Sequence, residues 1–129
     1  MIQIPQNKSE FELQAELFSA LKTAGYLVRG EVSARLNGKK SIFDLVIFKE
    51  DKAVVIIEVK DSPHRAVVYG KKTKQSMQYK AYNLPVIYHT TIHSVQQTLA
   101  RIERVLAERE DLILLQQIVK HEAEADKMD

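Results

Sequence analysis

The sequence contains no cysteine, which excludes a disulfide framework and a cysteine-based zinc site. It has no apolar run long enough to cross a bilayer. Its N-terminus, MIQIPQNKSEFELQ, lacks the basic start and apolar centre of a signal peptide. Net charge is scarce too: 19 Lys and Arg against 17 Asp and Glu leave +2, which selects no class of partner by itself. Internal repeats, low-complexity tracts and linkers are missing. What is there is ordinary for a globular chain: 129 residues, 45% hydrophobic and 28% charged, the size of one compact domain spanning 1–129. Together these features predict a single cytoplasmic domain without a membrane segment.

Hydrophobic spacing divides the chain into elements. Ser9 is a helix N-cap with Glu12 three residues on, as in a capping box. Leu13, Leu17, Leu21 and Ala24 then recur at helical spacing, and Gly25 stops the helix. YLVRGEVSA reads as a strand, LNGKK as a turn, and SIFDLVIF and AVVIIEVK as two further strands. DSPHRA is a loop, and KKTKQSMQYKAYN suits a second helix. LPVIYHTT gives a fourth strand. SVQQTLARIERVLAE and DLILLQQIVKHEAEADK are expected as two C-terminal helices, the last with an apolar stripe. That stripe either completes the core or forms a homodimer interface. The order α-β-β-β-α-β-α-α predicts an α/β fold with a small central sheet and helices packed on it.

Charge appears where the strands should be most apolar. Asp44 lies inside the second strand, and Glu58 and Lys60 end the third. Buried charge is costly unless it is paired or binds an ion. Glu58 and Lys60 are two apart and share a face. If Glu50, Asp51 and Lys52 form a three-residue loop, Lys49 pairs with Ala53 and Asp44 comes to lie opposite Glu58. A two-residue loop would put Asp44 opposite Ile57 instead, so the chemistry demands the odd loop or a bulge. Two facing carboxylates and an ammonium suit one or two Mg²⁺ ions, which prefer oxygen ligands and keep several waters. Such a metal polarises a phosphodiester and acidifies bound water, while Lys60 orients that water or stabilises charge on the phosphate.

Asp44, thirteen residues, then Glu58-Val59-Lys60 resembles the signature of the PD-(D/E)XK nuclease superfamily. Phe43 stands where many members have proline, a departure that leaves the ligands untouched. Gln75-x3-Tyr79, in QSMQY, resembles the Gln-x3-Tyr motif of the RecB-like members, and Gln78-x3-Tyr82 is a competing register. We prefer Gln75 and Tyr79, from the spacing of Tyr79 to Pro85. The resemblance covers roughly residues 9–90, with a C-terminal helical extension over roughly 93–126. It implies a restriction-endonuclease-like core with a mixed sheet of about four strands. It also implies a Mg²⁺-dependent endonuclease acting on DNA, with Mn²⁺ as a substitute. Asp44, Glu58 and the Val59 carbonyl are the implied metal ligands. Lys60 is the implied catalytic lysine, supported by Gln75 and Tyr79. A further acid from the first helix is implied; helical phase selects Glu10, beside Gln14, over Glu12 and Glu16. Glu31 is a weaker candidate.

Between Lys60 and Lys80 the bases Lys60, Arg65, Lys71, Lys72, Lys74 and Lys80 face Asp61 alone. Lys71, Lys72 and Lys74 are therefore expected to contact the nucleic-acid backbone without reading bases, the simpler reading being a solvated helix face. His64 is expected in solvent, or against a phosphate. His89 and His93 would suit a metal only on one helix, and His89 is expected to end a strand. The competing functions are a nucleic-acid-binding module without turnover, and a structural subunit of a repair, transposition or defence complex.

Overall fold

A computed structural model of the chain describes residues 2–3, 7–62 and 80–127. Helix α1, Glu10–Thr23, begins at Ser9, whose Oγ accepts the Glu12 N–H (3.2 Å) and donates to the Glu12 carboxylate (3.3 Å). It ends in a Schellman motif: Gly25 (φ 94°) donates to the Lys22 carbonyl and Tyr26 to that of Leu21. Its inward stripe is Leu13, Leu17 and Leu21.

Four strands follow: β1 Leu27–Leu36, β2 Lys39–Lys49, β3 Lys52–Val59 and β4 Val86–His89. They form one mixed sheet in the order β1-β2-β3-β4, with β3 and β4 parallel and the other pairs antiparallel. The β1–β2 turn is Asn37-Gly38, both at positive φ, the conformation a tight hairpin requires. Leu17, Leu21, Val28, Leu45, Ile47 and Ile57 head the cluster between sheet and helices. Phe43, Val46 and Ile56 form a second cluster, with Val32, Tyr82 and Val86 packed against it.

Of the two routes to the Asp44–Glu58 pairing, an odd-length loop or a bulge, the β2–β3 connection takes the bulge. Lys49 pairs with Lys52, not Ala53, across the two-residue turn Glu50-Asp51, whose φ values are both positive (52° and 64°). The missing residue reappears one pair further in. Phe48 pairs with Ala53 but Ile47 pairs with Val55, so Val54 is bulged. Val54 and Val55 consequently both enter the helix-side cluster.

Helix α2, Val95–Lys127, replaces the two C-terminal helices expected from the sequence. Ser94 and Gln97 cap it reciprocally, the Gln97 N–H donating to Ser94 Oγ (3.1 Å) and the Ser94 N–H to Gln97 Oε1 (2.9 Å). No glycine or proline lies between its two halves, so nothing interrupts the backbone ladder. Thr98 and Ile102 are buried, and an ion pair joins Glu110 to Lys49. From Glu110 through Ala125 every residue is exposed. The stripe therefore does not complete the core among the described residues. Of the helix expected over 71–83, only 80–83 is described; the Asn83 N–H donates to the Lys80 carbonyl (3.0 Å) in a turn. No described helix is long and apolar enough to cross a membrane.

Candidate active site

The site begins with that bulge. From Ile47↔Val55 inward the ladder runs Val46↔Ile56 and Leu45↔Ile57, so its next step sets Asp44 against Glu58. On the other side of β2 the ladder passes from Gly30↔Leu45 to Val32↔Phe43 and omits Glu31 and Asp44. Glu31 has φ 51°, left-handed backbone inside a strand. The pleat changes phase there. Val28 and Leu45 face the helices, whereas Val32 and Phe43 belong to the second cluster.

Leaving the ladder frees the Asp44 backbone, and side chains take it up. The Asp44 carbonyl accepts from Gln14 Nε2 of α1 (3.1 Å), and its N–H donates to Glu58 Oε1 (3.4 Å). Gln14 Nε2 also donates to Glu31 Oε1 (2.9 Å), tying β1, β2 and α1 together. Asp44 Oδ2 accepts the Val59 N–H (2.8 Å). Glu58 is 2% exposed and hydrogen-bonds the Asp44 side chain. Burial, then the charge and hydrogen bond of Asp44, push the Glu58 carboxyl up to about 8; Lys60 opposes this. A carboxyl raised this far favours the protonated form of Glu58 at neutral pH.

Lys60 is 8% exposed, and its backbone N–H donates to the His89 carbonyl (3.0 Å). Glu10 accepts the Asp61 N–H (3.1 Å), which places the first turn of α1 at the end of β3 beside Lys60. Glu12 is occupied in the cap, and Glu16 forms an exposed ion pair with Lys8. The structure thus gathers Asp44, Glu58, Lys60 and Glu10 at one end of the sheet, with Gln14 and Glu31 beside them. Gln14 as a bridge is the feature that sequence reasoning missed. The signal was Gly30, since a glycine inside a strand marks irregular pairing.

Gln75, Tyr79, Lys71, Lys72, Lys74 and His64 lie outside the described residues. Tyr82, from the competing motif register, packs edge-to-face on Phe43 with ring centroids 5.2 Å apart. It is a half-buried part of the second cluster, and its hydroxyl is buried without a partner among the described residues. His89 ends β4 and shares a 2.6 Å hydrogen bond between its Nδ1 and Thr98 Oγ1; His93 accepts the Thr90 N–H at Nδ1 (3.1 Å). Burial holds both imidazoles below the usual histidine range. Among the described residues no group of three or more His, Asp or Glu side chains is arranged to hold a metal. The Asp44–Glu58 pair is a different donor set: two carboxyls in contact, all oxygen. That set fits Mg²⁺, which is held through one or two carboxylates with water and phosphate oxygens completing the shell.

The chain is an α/β protein whose four described strands form a mixed sheet, and one end of that sheet carries the half-buried Asp44 with the buried Glu58 and Lys60. No protein-family model, curated protein or solved structure matches it.

Proposed function

We propose that the protein is a metal-dependent endonuclease of restriction-endonuclease-like fold that hydrolyses DNA phosphodiester bonds. The observation that carries this reading is the contact of Asp44 with buried Glu58, two residues from buried Lys60. Two acids face each other with the Lys60 charge beside them, and burial together with the charge of Asp44 raises the Glu58 carboxyl in spite of that lysine. A divalent cation between the two acids would relieve their repulsion.

When bound, Mg²⁺ supplies a polarised phosphate and a more acidic water. Asp44 and Glu58 would hold it, together with the Val59 carbonyl. Glu58 must first give up its proton. The Val59 N–H keeps Asp44 Oδ2 in place, and Gln14 holds the Asp44 backbone. Lys60 places an ammonium where negative charge grows on the phosphate. Glu10 holds the backbone just after Lys60, which fixes where that strand ends.

The test is digestion of labelled duplex, single-stranded, branched and RNA substrates with Mg²⁺ or Mn²⁺. The parent should cut, and Asp44→Asn and Lys60→Met should not. Asp44→Asn should also lose the rise in melting temperature that Mg²⁺ gives the parent, whereas Lys60→Met should keep it. Cleavage by Asp44→Asn at the parent's rate would end the nuclease reading.

A further inference from the structure

The hydrogen bonds around Asp44 reach one step beyond the carboxyl pair. Glu31 takes left-handed backbone (φ 51°), which costs any residue that carries a β-carbon. Glycine takes it freely, and Gly30 is next door, yet Gly30 stays out of that region. A bend alone would set the glycine where the strain is. A glutamate bears it instead, which points to a use for the carboxylate at that position. The use is visible in Gln14. A glutamine amide presents either its oxygen or its amino group, and only the amino group donates. Glu31 Oε1 and the Asp44 carbonyl are both acceptors, 2.9 and 3.1 Å from the same Nε2. That amino group has one hydrogen for each. Turned over, the amide would set its oxygen against both acceptors. Glu31 therefore fixes which end of Gln14 meets Asp44.

We infer that Gln14 and Glu31 are positioning residues for Asp44, holding its backbone in place for a divalent cation. The inference rests on the metal-dependent reading of the preceding subsection. The ladder to β1 omits Asp44, so strand pairing on that side does not hold it. The Asp44 N–H donates to Glu58 Oε1 at 3.4 Å, longer than the usual N–H···O bond. A cation held by both acids competes for that Glu58 oxygen. Gln14 then carries more of the restraint on Asp44 with metal bound than without it. Removing a group that orients a metal ligand without touching the metal costs roughly ten- to a hundredfold in affinity.

The experiment titrates the full chain with Mg²⁺, by calorimetry and by melting temperature. It compares the parent with Gln14→Met, Gln14→Glu and the exchange Gln14→Glu/Glu31→Gln. Gln14→Met keeps the length of the side chain, adds no charge and removes the donor. Its Mg²⁺ affinity should fall roughly tenfold or more. The exchange is the sharper variant. It keeps the net charge and restores a hydrogen bond between α1 and β1, now donated from position 31 to position 14. In EDTA it should melt closer to the parent than Gln14→Glu does. Its Mg²⁺ affinity should nevertheless stay low, because position 14 then turns an acceptor toward the Asp44 carbonyl. Affinity that returns with stability in the exchange would mean that the two residues only tie α1 to β1, and overturns the inference. A folded Gln14→Met with parental affinity overturns it too. Either result beside a parent that cuts with Mg²⁺ leaves the nuclease reading standing. If the parent binds Mg²⁺ but cuts nothing, and both variants lose affinity, the nuclease reading falls and the positioning pair stands. A parent that does not respond to Mg²⁺ overturns both.

Discussion

Glu58 carries a proton that an ordinary glutamate loses well below neutrality, and this has measurable consequences. Its carboxyl titrates near 8 in the fold against 4.5 unperturbed. A raised acid stabilises the fold fully below its unfolded pKa and ceases to do so as pH climbs through the folded one. Stability should therefore fall between about pH 4.5 and pH 8, by at most about 5 kcal/mol for a shift of this size. Glu58→Gln mimics the protonated form. Its denaturation midpoint should vary less with pH over that window and should exceed the parent's at pH 8.5. A parent whose stability rises over the same window would show that Glu58 is ionised in the fold. The proposed metal site is linked to the same proton: if Mg²⁺ binds there, it should displace about one proton per site at pH 7. Calorimetry in buffers of different ionisation enthalpy reads that number directly.

The elements show how far local rules reach. Both ends of α1 were legible because a cap and a Schellman glycine are local chemistry. So was the opposition of Asp44 and Glu58, which requires an odd-length loop or a bulge, and the structure uses the bulge. A three-residue loop and a two-residue turn with a bulge give the same pairing from Ile47↔Val55 inward. Counting residues between two charges could not distinguish them. What decided it was that Glu50 and Asp51 both accept left-handed backbone. Deleting Val54 should then keep Asp44 against Glu58. Stability should drop by the loss of one buried valine, about 1.5–3 kcal/mol, but the Mg²⁺-induced rise in melting temperature should survive. Loss of that rise in a folded variant would mean the bulge itself shapes the site. The break at Glu31 was only partly legible: Gly30 marks irregular pairing, but the Gln14 that fills the gap comes from another element. Glu31→Gly and Glu31→Ala both lose the Gln14 hydrogen bond, and only glycine relieves the backbone. Chemical denaturation should find the glycine variant more stable than the alanine one by about 1 kcal/mol. The single helix α2 was also missed: its apolar phase changes midway because it leaves the domain, not because the helix stops.

On the scale of the whole molecule, the C-terminal half of α2 is the element that no described residue covers. The 33 residues of α2 extend about 50 Å at ~1.5 Å per residue. Beyond the Lys49–Glu110 ion pair, Leu112, Leu115, Ile118 and Val119 lie along one side, each between 47% and 57% exposed. The homodimer expected from the sequence would cover this stripe, and we propose a second copy as its occupant. Two such stripes offer on the order of 1,000 Å² in total, the lower range for a specific interface. Glu108 and Asp111 bound the stripe at one end and Glu122 at the other, so paired helices set acid against acid in either orientation. Added salt should therefore strengthen self-association while it weakens DNA binding. Sedimentation across protein and salt concentrations tests this, and Leu115→Glu/Val119→Glu should stay monomeric. A parent that is monomeric at high salt and high concentration rules the dimer out. If the proposed nuclease activity holds, the length of α2 bears on its products. Two copies joined through their C-terminal helix ends would form a two-fold pair, and a DNA duplex has two-fold symmetry of its own. A monomer would nick one strand and leave, so a supercoiled plasmid would pass through an open circle. A pair holding both strands would make the second break before release, and linear plasmid would appear with little open circle before it.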